Sequence, residues 1–137
     1  MVRLIMSGSG EGKTKQLIEL MENAAEREVG CMVCIEPHRN ISFNLRHQTR
    51  LIDASEFHVD SFENLRGFIC GLYAGNYDIS HIFVDDLCKV AHSNDEQGVS
   101  QFLNWLDSFT APLNLKATIT INAKPESATD DMRKYMM

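Results

Sequence analysis

The stretch Ser7-Gly8-Ser9-Gly10-Glu11-Gly12-Lys13-Thr14 limits what this chain can fold into more than any other. An apolar run, Val2 to Met6, precedes it and reads as a buried strand. Lys15 to Ala25 follows, with Leu17, Met21 and Ala24/Ala25 on one helical face. A glycine-rich turn ending in Gly12-Lys13-Thr14, set between strand and helix, is the context of a phosphate-binding loop. Glycine at positions 10 and 12 lets the backbone approach a ligand without side-chain interference. Successive N–H groups and the N-terminal end of the helix then form a concave anion site. Ser9, Gly10, Glu11, Gly12, Lys13, Thr14 and Lys15 are therefore the expected nucleotide-contacting residues. Lys13 would reach the β- and γ-phosphates, and the Thr14 hydroxyl would hold Mg²⁺. One departure stands out: Ser7 occupies the pattern's first glycine position, with Gly8 one place later.

A second segment carries matching chemistry. His81-Ile82-Phe83-Val84 leads into Asp85-Asp86. An apolar strand that ends in a carboxylate delivers it to the sheet edge where the phosphate loop also lies. Asp85 is thus the expected metal ligand opposite Thr14.

With these motifs the chain resembles the P-loop NTPase superfamily. The run Gly67 to Asp78, followed by His81 to Asp85, is similar to that of short bacterial P-loop proteins, some labelled twitching-motility ATPases. The label reflects the motif and implies no biology here. The resemblance spans nearly the whole chain and makes Asp85 the carboxylate of a Walker B motif. It implies that Asp86 polarises the attacking water, although the family usually has the longer Glu there. It also implies that Asn122, after the strand Leu115 to Ile121, senses the γ-phosphate or orients water. Asn is equally a favoured turn residue. Lys13, Asp86 and Asn122 are the catalytic candidates.

Between these motifs, strands are expected at 2–6, 31–35, 50–53, 79–85 and 115–121, alternating with helices. Gly30 reads as the stop of the first helix. Asp60 and Glu63 have capping-box spacing before an apolar face of Phe62, Leu65, Phe68/Ile69 and Leu72, and Gly75 reads as its stop. Asn94 or Asp95 starts another helix, with Trp105 off its apolar stripe, and Glu126 to Tyr135 reads as a terminal one. Residues 41–49 show no clear pattern. The loop Glu36 to Asn40 falls at a strand's carboxyl end, where His38 and Arg39 would face a phosphate or solvent. Such alternation predicts an α/β, three-layer P-loop fold with a mostly parallel sheet of about five strands and right-handed crossovers. Whether the last strand separates the first from the Walker B strand is open.

A chain of 137 residues fits one nucleotide-binding domain, 1–137, with little room for lids or substrate domains. Its net charge of −6 does not indicate nucleic acid as the main partner. No run is long enough for a membrane span, and the N-terminus lacks a secretory pattern, so a cytoplasmic protein is expected. Cys31 and Cys34 have C-x-x-C spacing, but positions three apart on a strand point to opposite faces. They read as core cysteines more readily than as a metal pair.

The leading functional expectation is a Mg²⁺-dependent nucleoside triphosphate binder with slow hydrolysis. No guanine-selective Asn/Thr-Lys-x-Asp motif is present, which favours ATP. Nor is there an obvious arginine finger, although Arg39, Arg46 or Arg133 could serve across a subunit interface of a homo-oligomer, or a protein partner could supply the missing charge. Two alternatives stand beside it. One is a small nucleoside or nucleotide kinase: Ile35 to Arg39 vaguely resembles the thymidine kinases, whose zinc-bearing lid and lasso have no counterpart here. The other is a non-catalytic, nucleotide-dependent interaction module.

Overall fold

The computed structural model describes residues 1–8, 13–39 and 49–136, with backbone alone at Lys13 and Thr14. The strands are β1 (Val2–Ser7), β2 (Cys31–Glu36), β3 (Thr49–Asp53), β4 (Ile79–Val84) and β5 (Lys116–Asn122). All pairings are parallel, and the strands form one sheet in the order β1-β5-β4-β2-β3. The expected segments agree with these to within a residue or two at each end. β5 lies between β1 and β4, which the spacing of the segments leaves open.

Near-continuous burial along β2, β4 and β5 shows a sheet covered on both faces. On one face α1 (Lys13–Arg27) packs Leu17, Met21, Ala24 and Ala25 against Met32, Cys34 and Phe83. On the other lie α2 (Phe62–Gly75) and α4 (Glu96–Thr110), which place Leu65, Ile69, Phe102, Leu103 and Leu106 in the larger core. Trp105, off the buried stripe of α4, stacks on Phe109 with ring centroids 5.2 Å apart. The guanidinium of Arg66 on α2 lies 5.7 Å from its ring. Cys34 is buried as a core cysteine, but Cys31, expected in the core as well, is exposed because it is the first residue of β2.

Four local features differ from expectation. The capping box of α2 uses Ser61 and Asn64, not Asp60 and Glu63. The Ser61 hydroxyl accepts from the Asn64 N–H, and the Asn64 carbonyl oxygen from the Ser61 N–H, both at 3.0 Å. The expected helix over 126–135 is two short turns, a 3₁₀ turn at Pro125–Ser127 and α5 (Asp130–Arg133). Ser127 and Thr129 hydroxyls bond nearby backbone groups and break the run, as such residues do when they compete with helix bonds. The chain then runs along β1, where the Leu4 N–H donates to the Tyr135 carbonyl at 2.8 Å. A short helix, α3 (Leu87–Val90), also follows Asp86 directly. Gly30, expected as a helix stop, serves a close approach. A Cβ there would lie 2.5 Å from the Asp78 carbonyl oxygen.

The amino edge of the sheet holds a buried polar network. His81 Nδ1 lies 2.9 Å from Glu28 Oε2, and His81 Nε2 lies 2.8 Å from Thr118 Oγ1. Burial holds the imidazole below its ordinary value; Glu28 works the other way, and Lys116 and the N-terminal ammonium reinforce the lowering. A histidine depressed in the folded state leaves stability complete above the unfolded value of 6.5. That stability is lost as pH falls through the lower folded value. Urea unfolding followed against pH is therefore expected to show stability falling on acidification below 6.5, with a shallower slope in His81→Gln. Equal slopes in the two proteins would remove His81 from the account.

Candidate functional site at the carboxyl edge of the sheet

Parallel strands bring every strand's last residue to one edge, and the polar residues of that edge are the candidate site. β1 ends at Ser7, which pairs with Asn122 at the end of β5. α1 begins at Lys13 on the same edge, and Lys15 is exposed on its first turn. Ser9, Gly10, Glu11 and Gly12 lie outside the described residues, as do the side chains of Lys13 and Thr14. Ser7 Oγ is shielded from solvent and has no hydrogen-bond partner among the described residues.

Asp85 follows β4 directly and is only 4% exposed. Its N–H donates to the Ile35 carbonyl at 2.9 Å, continuing the β4–β2 ladder one residue past the strand. A single hydroxyl fixes what comes next. Thr120, fully buried on β5, donates to Asp85 Oδ1 at 3.1 Å and accepts from the Asp86 N–H at 2.8 Å. Asp86 has φ 60° and ψ 70°, a left-handed conformation that non-glycine residues adopt uncommonly. The Thr120 bond to its N–H holds the backbone in that turn. Asp86 and Asn122 then line one open cleft of about 490 Å³, together with Cys88, Lys89 and His92.

A residue beyond the expected set belongs to this edge. Glu36, assigned from the sequence to a loop, is the last residue of β2 and is 1% exposed. Ile35 pairs with Val84, so Glu36 and Asp85 emerge side by side from adjacent strands. Their charges are felt beneath them. Burial chiefly, then Asp85 and Glu36, push the Cys34 thiol well above its usual range. The signal was present in the sequence: Ile35-Glu36 repeats the strand-then-carboxylate pattern of Val84-Asp85.

His38 and Arg39 lie in the exposed turn beyond β2. Asp53, ending β3, accepts from the Arg39 N–H at 3.2 Å and from the Ser55 N–H and hydroxyl at 2.9 and 2.6 Å. These bonds hold its carboxyl below the usual range, the Ser55 hydroxyl contributing most. The Arg39 guanidinium stands 3.6 Å from Glu56. Arg133 pairs with Asp130 on α5, and Arg46 lies outside the described residues. Among the described residues no group of three His, Cys, Asp or Glu gathers as a metal-ligand set, and no helix is long and apolar enough to cross a membrane.

The all-parallel five-stranded sheet and its helix-covered faces define an α/β fold, which the chain shares with a KaiC-like protein. Among solved structures the chain is similar to the KaiC-like protein PH0186 from the hyperthermophilic archaeon Pyrococcus horikoshii OT3. The TM-score is 0.67 at 14% identity, over 98% of this chain and 68% of that one. No protein-family model and no curated protein matches the sequence.

Replacing Thr120 by Val removes a buried donor and acceptor while nearly keeping the shape. The expected loss is about 1–3 kcal/mol of stability, the cost of leaving buried polar partners unsatisfied. Thr120→Ser, which keeps the hydroxyl, should lose less. Denaturant unfolding of the two variants checks this, and a Val variant as stable as the parent would refute it.

Proposed function

We propose that residues 1–137 form one nucleotide-binding domain that takes a nucleoside triphosphate, ATP foremost, as its Mg²⁺ complex and hydrolyses it slowly. One observation carries the reading: Lys13 and Thr14 of the Gly12-Lys13-Thr14 motif open α1 after β1, and buried Asp85 follows β4 on the same sheet edge, with only β5 between the two strands. The KaiC-like fold supports it. Twitching motility is no part of the proposal.

In this reading the backbone of Ser9 to Gly12 and the side chain of Lys13 bind the phosphates, with Lys15 adding positive charge. Thr14 and Asp85 hold the ion, whose contribution is to neutralise charge on the phosphate oxygens. The donor chemistry fits: the carboxylate of buried Asp85 and the hydroxyl-bearing Thr14, in the first turn of α1, come to one sheet edge. Hard oxygen donors of this kind suit Mg²⁺. Thr120 keeps one Asp85 oxygen oriented, so that the carboxylate meets its ligand in a fixed rotamer.

Three residues compete to position water. Asp86 and Asn122 share the open cleft, whereas Glu36 is buried beside Asp85. Burial and adjacency make Glu36 the best placed to hold a proton-accepting carboxylate away from bulk solvent. Arg39 at the rim is the cation nearest to serving a neighbouring copy, although its contact with Glu56 would first have to break.

The test is Mg²⁺-dependent ATP and GTP binding, with hydrolysis followed in parallel. Lys13→Ala should weaken ATP binding at least about tenfold, since it removes a charge-assisted phosphate contact. Glu36→Gln should bind ATP normally and turn over about a hundredfold more slowly, the usual scale of a lost general base. If Asp86→Asn shows that slowing and Glu36→Gln does not, the water-positioning role belongs to Asp86. Absence of nucleotide binding in the parent protein would end the phosphate-loop reading.

A further inference from the structure

The hydroxyl of Thr120 makes two contacts on the carboxyl edge, and they are not independent. The Asp86 N–H can only donate, so Thr120 Oγ1 accepts from it at 2.8 Å. The single hydroxyl proton is then directed at Asp85 Oδ1, 3.1 Å away. Thr120 and Asp85 are both buried, so water does not compete for the Asp85 contact. A hydroxyl that donates to a carboxylate becomes a better acceptor, and the two bonds strengthen each other. Whatever changes the charge on Asp85 therefore changes the hold on the Asp86 N–H.

Asp86 has use for that hold. Its left-handed backbone, φ 60° and ψ 70°, is costly for a residue with a side chain. The Asp86 carbonyl accepts from the Lys89 and Val90 N–H groups, both at 3.0 Å, so α3 hangs from the same residue. Leu87, Val90 and Ala91 are buried and pin the inner side of this segment. Cys88, Lys89 and His92 line the cleft of about 490 Å³ together with Asp86. His92, at the far end, is left-handed as well, at φ 53°. One wall of the cleft is thus a short piece between two backbone turns, and Thr120 links the first turn to Asp85.

We propose that Thr120 is the positioning residue through which an ion at Asp85 acts on Asp86 and on the cleft wall that Asp86 begins. The coupling rests on Asp85 being an ion ligand, the reading given above. A divalent ion draws charge from the carboxylate whether it binds directly or through its water shell. The Thr120 hydroxyl then donates to a weaker acceptor, its oxygen accepts less well from Asp86, and the left-handed turn loses part of its restraint. The effect runs both ways, as linkage requires. Because the same hydroxyl orients the Asp85 oxygen, losing it costs ion affinity.

The same strand supplies a comparison. Thr118, two residues earlier on β5 and also buried, bonds His81 Nε2 at 2.8 Å toward the amino edge of the sheet. Removing its hydroxyl deletes a buried polar group from the same face of the same strand. It does so without touching Asp85 or Asp86, so it separates lost stability from lost coupling.

The test is two-dimensional ¹H–¹⁵N NMR of the full chain, with MgCl₂ titrated in at fixed ATP. In the parent the Asp86 amide proton is expected to move upfield, the direction of a weakened hydrogen bond, as Mg²⁺ saturates. Thr120→Val should abolish that movement and raise the Mg²⁺ needed for half-saturation by about tenfold or more, the usual scale for a group that orients a metal ligand. Thr120→Ser keeps the hydroxyl and should restore both, and Thr118→Val should match the parent in both. If Thr120→Val does not fold, Thr120→Cys, whose thiol is a weak donor, takes its place with the same expectation. Saturable Mg²⁺–ATP binding with a still Asp86 amide in the parent overturns the coupling and leaves the nucleotide reading standing. So does a Thr120 variant that responds like the parent, or a Thr118→Val that responds like Thr120→Val. No ATP binding at all overturns the nucleotide reading and the coupling with it.

Discussion

Every strand of the sheet runs the same way, and the rest of the structure follows from that. Parallel neighbours cannot be joined by hairpins, so each connection must cross a face of the sheet, and helices fill both faces. With both faces covered, strand interiors are mainly apolar, and acidic side chains are displaced to the strand ends. The carboxyl ends of β1, β5, β4 and β2 therefore gather Ser7, Asn122, Asp85 and Glu36 along one edge, although these residues are far apart in sequence. Proximity here costs no special design beyond choosing which residue ends each strand.

What does need design is the fixing of those ends. Asp85 and Asp86 are consecutive yet face different surroundings, one buried and one bordering an open cleft. A regular strand would carry them on alternately. The left-handed turn at Asp86 ends the strand, and Thr120 secures it by accepting from the Asp86 N–H and donating to the Asp85 carboxylate. Strain of this kind persists where the surroundings over-determine it, and it collects at functional sites. A buried hydroxyl on the adjacent strand supplies that constraint.

Much of this was legible because burial on both faces writes itself as short Val/Ile/Leu/Phe runs. Ile82-Phe83-Val84 and Ile119-Thr120-Ile121 needed no partner to be read as strands. Asp85 was legible for the same reason, as a charge at the end of such a run. Glu36 obeyed the same rule but was followed by Pro37 and His38, whose loop character drew it across the boundary. Strand order was not legible, since it is set by crossover packing, to which segment spacing is indifferent. The terminal segment is not one helix because Ser127 and Thr129 lie inside it, and their hydroxyls bond backbone locally. The capping box shifted by one residue because Ser and Asn at 61 and 64 compete with Asp and Glu at 60 and 63 in the same spacing.

The two edges of the sheet pose opposite electrostatic problems, and α1 connects them. At its beginning the helix turns N–H groups and a positive dipole end toward the edge that holds Asp85 and Glu36, an arrangement that suits anions in its path. At its end the carbonyl groups and negative dipole end meet Glu28, which local rules would place elsewhere. Lys116 offsets the charge from the surface but leaves Oε1 without a hydrogen bond among the described residues. Sequences that fold reliably agree with local preference nearly everywhere, and the exceptions collect where something other than stability is being met. His81, Thr118 and Phe83 hold the exception rigidly in place, which a tolerated accident would not require.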